Sequence, residues 1–480
     1  MGNVLSTARV FVIVVTVGLF AMAARGVTDP DVWWHLRTGE LITLTHHVPH
    51  TDPFSFTKFG QPWIAHEWLS EVVMYNVYRS SGWGGLIIVF AAMSAATVML
   101  AYARSRGRPY IAAAVTVWGA AASAPIWGVR PQTISLLLAS AFFLLLERSE
   151  HRPGLIWWTI PLTIVWVNVH GGYALGIALL LLFAAGEVLD FLFGWKARST
   201  AMLRVRNLSL ATLACMAVVP LNPNGTRMYS YPVETLRSSA IQSYISEWFS
   251  PDFHQHKFLP FLLLLLGTLV AIAFTKTRAR PRDLLLLAAT LWGALHSVRH
   301  IPIFVLVAIP VLSSALHSIR QESKSGQRYA IRSSRMKLAF NAVLLAAFAV
   351  FTAVRVRTVI LQQPQVEAEH FPAAAVTFIL QHHPPPPLLN HYNWGGYLIW
   401  KLYPAYQVFI DGRSDLYGDA FMDQFRQLAY LQGTGINALN EWNIRTVLLP
   451  LDTPLVAALN LSHDWTETYR DQRAVIFMRK

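Results

Sequence analysis

Long apolar runs alternate with short polar stretches over the first three quarters of the chain. The apolar runs lie near residues 9–26, 84–103, 110–128, 131–147, 155–169, 172–190, 207–221, 258–275, 283–297, 301–317 and 337–354. A helix that crosses a bilayer needs about 20 mostly apolar residues. The pattern therefore predicts an all-α polytopic membrane bundle of about eleven transmembrane helices, covering residues 1–357. A long polar interval at 27–83 interrupts it after the first run. Beyond residue 364 the pattern changes. "AAAVTFIL" and "GDAFMDQFRQLAYL" have helical spacing, while "QVFIDG", "IRTVLLPL" and "RAVIFMRK" have the β-branched and aromatic content of strands. Residues 364–480 thus read as a small soluble α/β domain.

Charge decides how the runs are oriented. The connections alternate between basic and base-poor. Arg9, Arg104 to Arg108, Arg148 and Arg152, Lys196 to Arg206, Lys276 to Arg282 and the run from Arg320 to Lys337 fall on one side. By the positive-inside rule that side is cytoplasmic. The N-terminus is then inside, and the long first loop and the C-terminal domain are extracytoplasmic. The net charge of +13 needs no nucleic-acid partner, because the basic residues serve topology and contact with anionic membrane lipid. A single cysteine, Cys215, excludes disulfides and cysteine metal sites.

Most residues with chemistry to offer lie in the base-poor loops. "DPDVWWHLRTGE" follows the first run. With Asp29 as cap and Pro30 at the first helical position, Trp33, Trp34, Leu41 and Leu44 form one stripe of a helix, and Asp31, His35 and Thr38 face the other way. That describes an interfacial helix with tryptophans at headgroup level. Asp29 and Asp31 either cap this helix or act as base or ligand of a hard divalent cation such as Mg or Mn. In "AHEWLSE", Glu67 and Glu71 stand one helical turn apart. Ser70 occupies the place where a zinc protease needs its second histidine, which rejects that class. Arg130, Arg299 and His300 end apolar runs, where they either snorkel to headgroups or bind phosphate. His170 adjoins two glycines that permit close approach of a partner. His254 and His256 form a loop pair with metal-binding chemistry. Asp411, Arg413 and Asp415 are placed to pair with one another at a tight turn.

The layout resembles the GT-C superfamily of membrane glycosyltransferases. The motifs "DPDVWWHLRTGE", "AHEWLSE", "RPQ", "VHGGY", "SEWFSP", "RHIP" and "WGGYLIW…VFIDGRSDLYG" are similar to those of a bacterial family of glycosyltransferase-like membrane proteins. The WWD-type motif of oligosaccharyltransferases is missing, which argues against protein N-glycosylation. The resemblance implies a multi-pass protein of the bacterial inner membrane and a polyprenyl-phosphate-linked sugar as donor. Asp31 or Asp29 would then be the base toward the acceptor or a metal ligand, and Glu67 a second acidic residue. His35, Arg130, His170, Arg299 and His300 would contact substrate. Two other readings stand beside this one: a catalytically inert assembly protein with envelope partners, and a transporter or flippase of lipid-linked glycans.

Overall fold

The computed structural model describes residues 7–105, 107, 109–275, 278–322 and 335–480. Arg106, Arg108, Lys276, Lys324, Arg328 and Arg332, which belong to the basic loops expected above, lie outside that set. A helix stands at each place where an apolar run was expected. These are α1 (Thr7–Ala23), α3 (Trp68–Arg104), α4 (Pro109–Ser123), α5 (Pro131–Arg148), α6 (Thr159–Val169), α7 (Tyr173–Leu192), α8 (Arg198–Ala217), α11 (Leu259–Phe274), α12 (Pro281–His296), α13 (Ile301–Glu322) and α14 (Arg335–His370). Between them lie α2 (Val32–Thr45), α9 (Tyr231–Arg237) and α10 (Ser239–Tyr244). Among the described residues, 7 helices are long and apolar enough to cross a membrane, fewer than the eleven expected. The shortfall has a physical reason in α6. The run 155–169 is divided between a 3₁₀ turn at Pro153–Trp158 and an α-helix of 11 residues. α1 and α12 have 17 and 16 residues.

The first polar interval ends where Gly82 breaks α3. Its φ of 58° lies in the left-handed region, so an outer amphipathic segment turns there into the membrane span. The opposite, basic end of the bundle carries its own acids. Glu187 and Asp190 are wholly buried in α7. Arg280 meets Asp190 at 2.5 Å and Glu150 at 2.7 Å, Lys196 meets Glu187 at 2.6 Å, and Arg282 meets Glu150 at 2.5 Å. The basic loops are therefore partly neutralised in place, and the apolar runs are less free of charge than their average hydropathy indicates. α7 alone, at about 1.5 Å per residue, sets roughly 30 Å between this network and the other end of the bundle.

After α14 the chain forms α15 (Ala373–His382), α16 (Gly395–Leu402), α17 (Ser414–Ala429), α18 (Ala438–Glu441) and α19 (Pro454–Leu461) around a four-stranded sheet. Strands β1 (Leu388–Asn390), β2 (Thr446–Pro450), β3 (Trp465–Arg470) and β4 (Ala474–Arg479) take the order β1-β2-β4-β3. β1 and β2 are parallel, with Leu389 opposite Val447; the other pairs are antiparallel. "IRTVLLPL" and "RAVIFMRK" supply β2 and β4 as expected. "QVFIDG" does not join the sheet. Val408 instead pairs with the first loop, accepting from the Phe56 N–H at 3.1 Å and donating to the Phe54 carbonyl at 3.1 Å.

The first loop and the C-terminal domain share one core. Trp33 is wholly buried and meets Trp83, Phe371 and Tyr397 edge-on at centroid distances of 4.9, 5.3 and 4.8 Å. Such edge-to-face pairs add roughly 0.5–1.5 kcal/mol each beyond area burial. α2 is thus not an interfacial helix: its tryptophans face protein because the tail covers them. Arg413 is the tie between the two parts. Its guanidinium reaches Asp411 Oδ2 at 2.7 Å and Asp52 Oδ1 at 2.7 Å, over the ring of Trp63 at 4.6 Å. Asp415 takes no part in it. All three charged groups are buried. Removing one member of a buried pair costs about 3–5 kcal/mol because the partner charge is stranded. Arg413→Met should therefore lower the thermal midpoint of the detergent-purified protein by several degrees and expose the tail to protease, while Arg470→Met, at an exposed pair, should leave both unchanged. An unchanged midpoint in Arg413→Met would remove the tie.

Candidate functional site

The first loop, the base-poor ends of α5, α7 and α13, the 231–248 segment and the tail enclose a cavity of about 1340 Å³. That exceeds the roughly 300–1,000 Å³ of a drug-sized ligand site. Asp29, Asp31, His35, Glu67, Arg130, His170, Arg299 and His300 all line it. The 231–248 segment is bound to α17 over the top: Asp419 accepts from Ser238 Oγ at 2.5 Å and from the Ser239 N–H at 2.9 Å.

The two aspartates differ in their partners. α2 starts at Val32 with Asp31 as its cap, two residues later than the sequence pattern suggests, because the Asp29 carboxylate turns back instead. Asp29 Oδ1 accepts from the Asp31 N–H at 2.8 Å, and its Oδ2 lies 2.5 Å from Arg130 Nε. Arg130 also binds Glu247. Burial opposes the Arg130 charge, but Asp29 and Glu247 raise its pKa further above the usual value. Among the described residues Asp31 has no cation within ion-pair distance; its Oδ1 accepts from Trp34 Nε1 at 3.1 Å. Its carboxylate lies against Gly412, where a Cβ would fall on Oδ1. Burial, then the neighbouring Asp29 charge, push the Asp31 carboxyl up to about 7, against the pull of His35 and Arg130.

Glu67 sits among histidines. His35 Nε2 is 3.5 Å away, His66 Nε2 3.3 Å and His170 Nε2 3.4 Å. Glu67 and Glu71 are both buried, so neither is an exposed helix face. Burial opposes the Glu67 charge, but His66, His170 and His35 hold the carboxyl below its usual range. The rings differ in what their nitrogens face. Both nitrogens of His35 face carboxylates, with Nδ1 3.2 Å from Glu71, and His66 points Nδ1 at the Ile64 carbonyl at 3.1 Å. Despite burial, these acceptors raise the pKa of both rings. His170 is different. The Gly172 N–H and Ser135 Oγ both reach its Nδ1 at 2.8 Å, so the neutral ring has its proton on Nε2. Burial pushes it down to about 3, outweighing Glu67. A Cβ at Gly172 would lie 2.7 Å from that Nδ1, which is why glycine stands there.

At the third wall, Arg299 lies over the Trp248 ring at 5.3 Å and 3.4 Å from His170 Nε2, with no carboxylate within 4.0 Å among the described residues. His300 meets the same tryptophan edge-on, and its Nδ1 is buried without a partner. Among the described residues, the cavity thus brings Asp31, a carboxylate without an ion pair, and Arg299, a guanidinium without one, to one space.

The donor set does not fit a hard divalent cation. Asp29 is committed to Arg130 and Glu67 to histidines, and no group of three or more His, Cys, Asp or Glu among the described residues is placed to hold a metal. His254 and His256 are exposed and form no such group. Sequence reasoning did not single out Glu247, Trp248, Tyr231 or Gly412 for the site. Glu247 reaches Arg130 across 117 residues, a separation that no local spacing reveals; the only signal was the motif "SEWFSP".

Over nearly the whole chain the fold is similar to that of solved structures of two other proteins. The archaeal oligosaccharyltransferase AglB from Archaeoglobus fulgidus, in complex with an inhibitory peptide and a dolichol-phosphate, matches 98% of this chain and 74% of its own at TM-score 0.54 and 10% identity. ArnT from Cupriavidus metallidurans in the apo state matches 98% of this chain and 96% of its own at TM-score 0.51 and 15% identity. At such identities the likeness is one of fold. No protein-family model and no curated protein matches the sequence.

Glu67 is expected to set the histidine charges. In Glu67→Gln the His35 and His66 pKa values should fall, since the anion favouring their charged forms is gone. Histidine-resolved NMR titration measures this directly. The stability these two imidazoliums contribute is fully present below about pH 6.5 and is lost as pH rises through their folded values. Unmoved titrations would detach Glu67 from them.

Proposed function

We propose that the protein is a membrane glycosyltransferase that moves a sugar from a polyprenyl-phosphate donor to an acceptor hydroxyl at the outer face of the cytoplasmic membrane. One observation carries this: Asp31 and Arg299 face one cavity without charge partners of their own. Asp31, near pH 7 in its titration, is matched to general-base work at neutral pH. The acceptor hydroxyl gives its proton to Asp31 as its oxygen bonds to the anomeric carbon. The bond from that carbon to the phosphate oxygen breaks, and its electron pair leaves with the phosphate. Arg299, flattened on Trp248, offers that anion a planar fork, and the unpartnered His300 Nδ1 lies beside it. Asp29, Arg130 and Glu247 form the frame that keeps Asp31 in place. The fold of AglB, solved with a dolichol-phosphate, supports the donor class. An assembly protein gains nothing from burying unpaired charges, which costs stability. A flippase needs such groups at the bilayer midplane, whereas these cluster at one end of the bundle.

The described arginines and lysines of the basic end support a cytoplasmic location for it. In a Cys215→Ala background, Ala420→Cys should react with an impermeant thiol reagent in intact cells and Ser199→Cys should not. The reverse result would invert the protein.

Three further measurements bear on the chemistry. Asp31→Asn should reduce transfer by at least about a hundredfold with little change in thermal stability, and full activity would end its role as base. The rate should fall as pH drops through about 7, where Asp31 takes its proton. Arg130→Gln should move that limb to higher pH, because a cation favouring the carboxylate is lost. Short-chain polyprenyl phosphate should bind wild type and Arg130→Gln alike, bind Arg299→Lys less well, and fail to bind Arg299→Gln. If wild type itself binds none, the transferase reading falls.

A further inference from the structure

Building on the transferase reading, we infer that the tail-domain end of the cavity is a distinct acceptor subsite for a neutral, hydroxyl-rich glycan. The carboxyl ends of β1 and β2, the parallel pair of the sheet, open into the cavity. β1 runs out into His391, and β2 runs out into Asp452 and Thr453. In open α/β sheets ligands bind outside the carboxyl ends of parallel strands. The facing wall is the last turn of α17 and the residue after it, with Arg426 and Tyr430.

Two atoms at this end point to a missing ligand. His391 Nδ1 and Arg426 Nε are buried and have no hydrogen-bond partner among the described residues. Buried polar atoms in native proteins are nearly always satisfied, so an exception needs a cause. Both side chains line this one cavity, and neither is needed for the proton or phosphate steps above.

The chemistry selects the class. Burial pushes the His391 ring down to about 4 despite Asp452, so it is neutral and offers one donor and one acceptor. Asp452 and Thr453 add acceptors and a hydroxyl. Arg426, over the Tyr244 ring at 4.9 Å, adds a planar donor. Asp452 lines the cavity with Arg426, one carboxylate to one cation, so this end has no net charge to select an ionic acceptor. Hydroxyls find donors and acceptors there. Tyr430, 57% exposed, presents a ring face suited to the apolar face of a pyranose. A peptide would pair with a free strand edge. Residues 409 and 410 are held beside β1 by the Asn390 side chain, whose Oδ1 accepts from the Phe409 N–H at 2.8 Å and whose Nδ2 donates to the Ile410 carbonyl at 2.8 Å. The arrangement places the donor phosphate at Arg299, the reacting hydroxyl at Asp31 and the rest of the acceptor along the tail.

The test uses the full chain in detergent and saturation-transfer NMR. One arm adds a mixture of neutral di- to tetrasaccharides of glucose, galactose, mannose and N-acetylglucosamine. A second adds a mixture of short peptides, and a third adds short-chain polyprenyl phosphate. Wild type should show saturation of sugar protons. The double variant His391→Ala/Arg426→Ala should weaken it by at least about tenfold, the scale of one lost charged hydrogen bond. Exposed Asp452→Asn, which disturbs no core, should weaken it in the same direction. Lipid-phosphate binding should persist in all variants, which also shows that they are folded. No sugar signal, binding of peptides only, or a sugar signal that the double variant leaves intact would overturn the subsite. Sugar binding without any lipid-phosphate binding would instead retain the subsite and remove the transferase reading.

Discussion

The geometry of the cavity depends on one buried guanidinium. Arg413 joins Asp411 of the tail to Asp52 of the first loop, two segments separated by 361 residues in sequence. Neither carboxylate could remain buried without it. Around this tie the main chain is pinned in register. Phe54 and Phe56 bond Val408, and Thr57 Oγ1 donates to the Phe409 carbonyl at 2.6 Å. Gly412 follows directly and is held against Asp31. A tail free to swing would leave Asp31 open to water, where a carboxylate titrates about 3 units lower. The same tie therefore closes the cavity and sets the basicity of the group within it.

Close approach of two backbones is what makes the closure tight, and glycine is what permits it. Gly396, the second residue of α16, lies so near the start of α2 that a Cβ would stand 2.5 Å from the Pro30 carbonyl. Gly412 does the same at the Asp31 carboxylate. The "WGGYLIW" and "DGR" stretches thus serve as contact surfaces for "DPDVWWH", and their aromatic residues fill the seam around Trp33.

Much of this was legible in the amino-acid order, within physical limits. Apolar period and length placed the membrane helices, because hydropathy along a helix is a local property. Charge alternation separated a basic end from an end rich in polar chemistry. The eight candidate residues were found as outliers, polar groups at the margins of apolar runs, and the cavity gathers all eight. Their pairing was not legible. The tryptophan stripe of α2 reads as a membrane face from local periodicity, since nothing local says that Phe371 and Tyr397 will cover it. "QVFIDG" has strand composition and does lie extended, but its partner is the first loop, more than 350 residues away. Asp29 and Asp31 look alike in sequence and differ only through Arg130.

That last difference shows how the cavity divides its charges. Asp29, Asp31, Glu67 and Glu247 share this cavity with Arg130 and Arg299, and electrostatics alone would favour complete neutralisation. Arg130 instead takes both Asp29 and Glu247, which leaves Asp31 without a cation and lets burial raise its pKa. Arg299 is kept from Glu247 by that same engagement, and its free edge faces the cavity from the surface of Trp248. Glu67 is satisfied by histidines, so it does not compete for either arginine. One saturated triad and one saturated histidine cluster thus keep the Asp31 carboxylate and the Arg299 guanidinium from being neutralised. Each would otherwise be cancelled, and the transfer proposed above needs both uncancelled, the carboxylate before the bond forms and the cation as the phosphate departs.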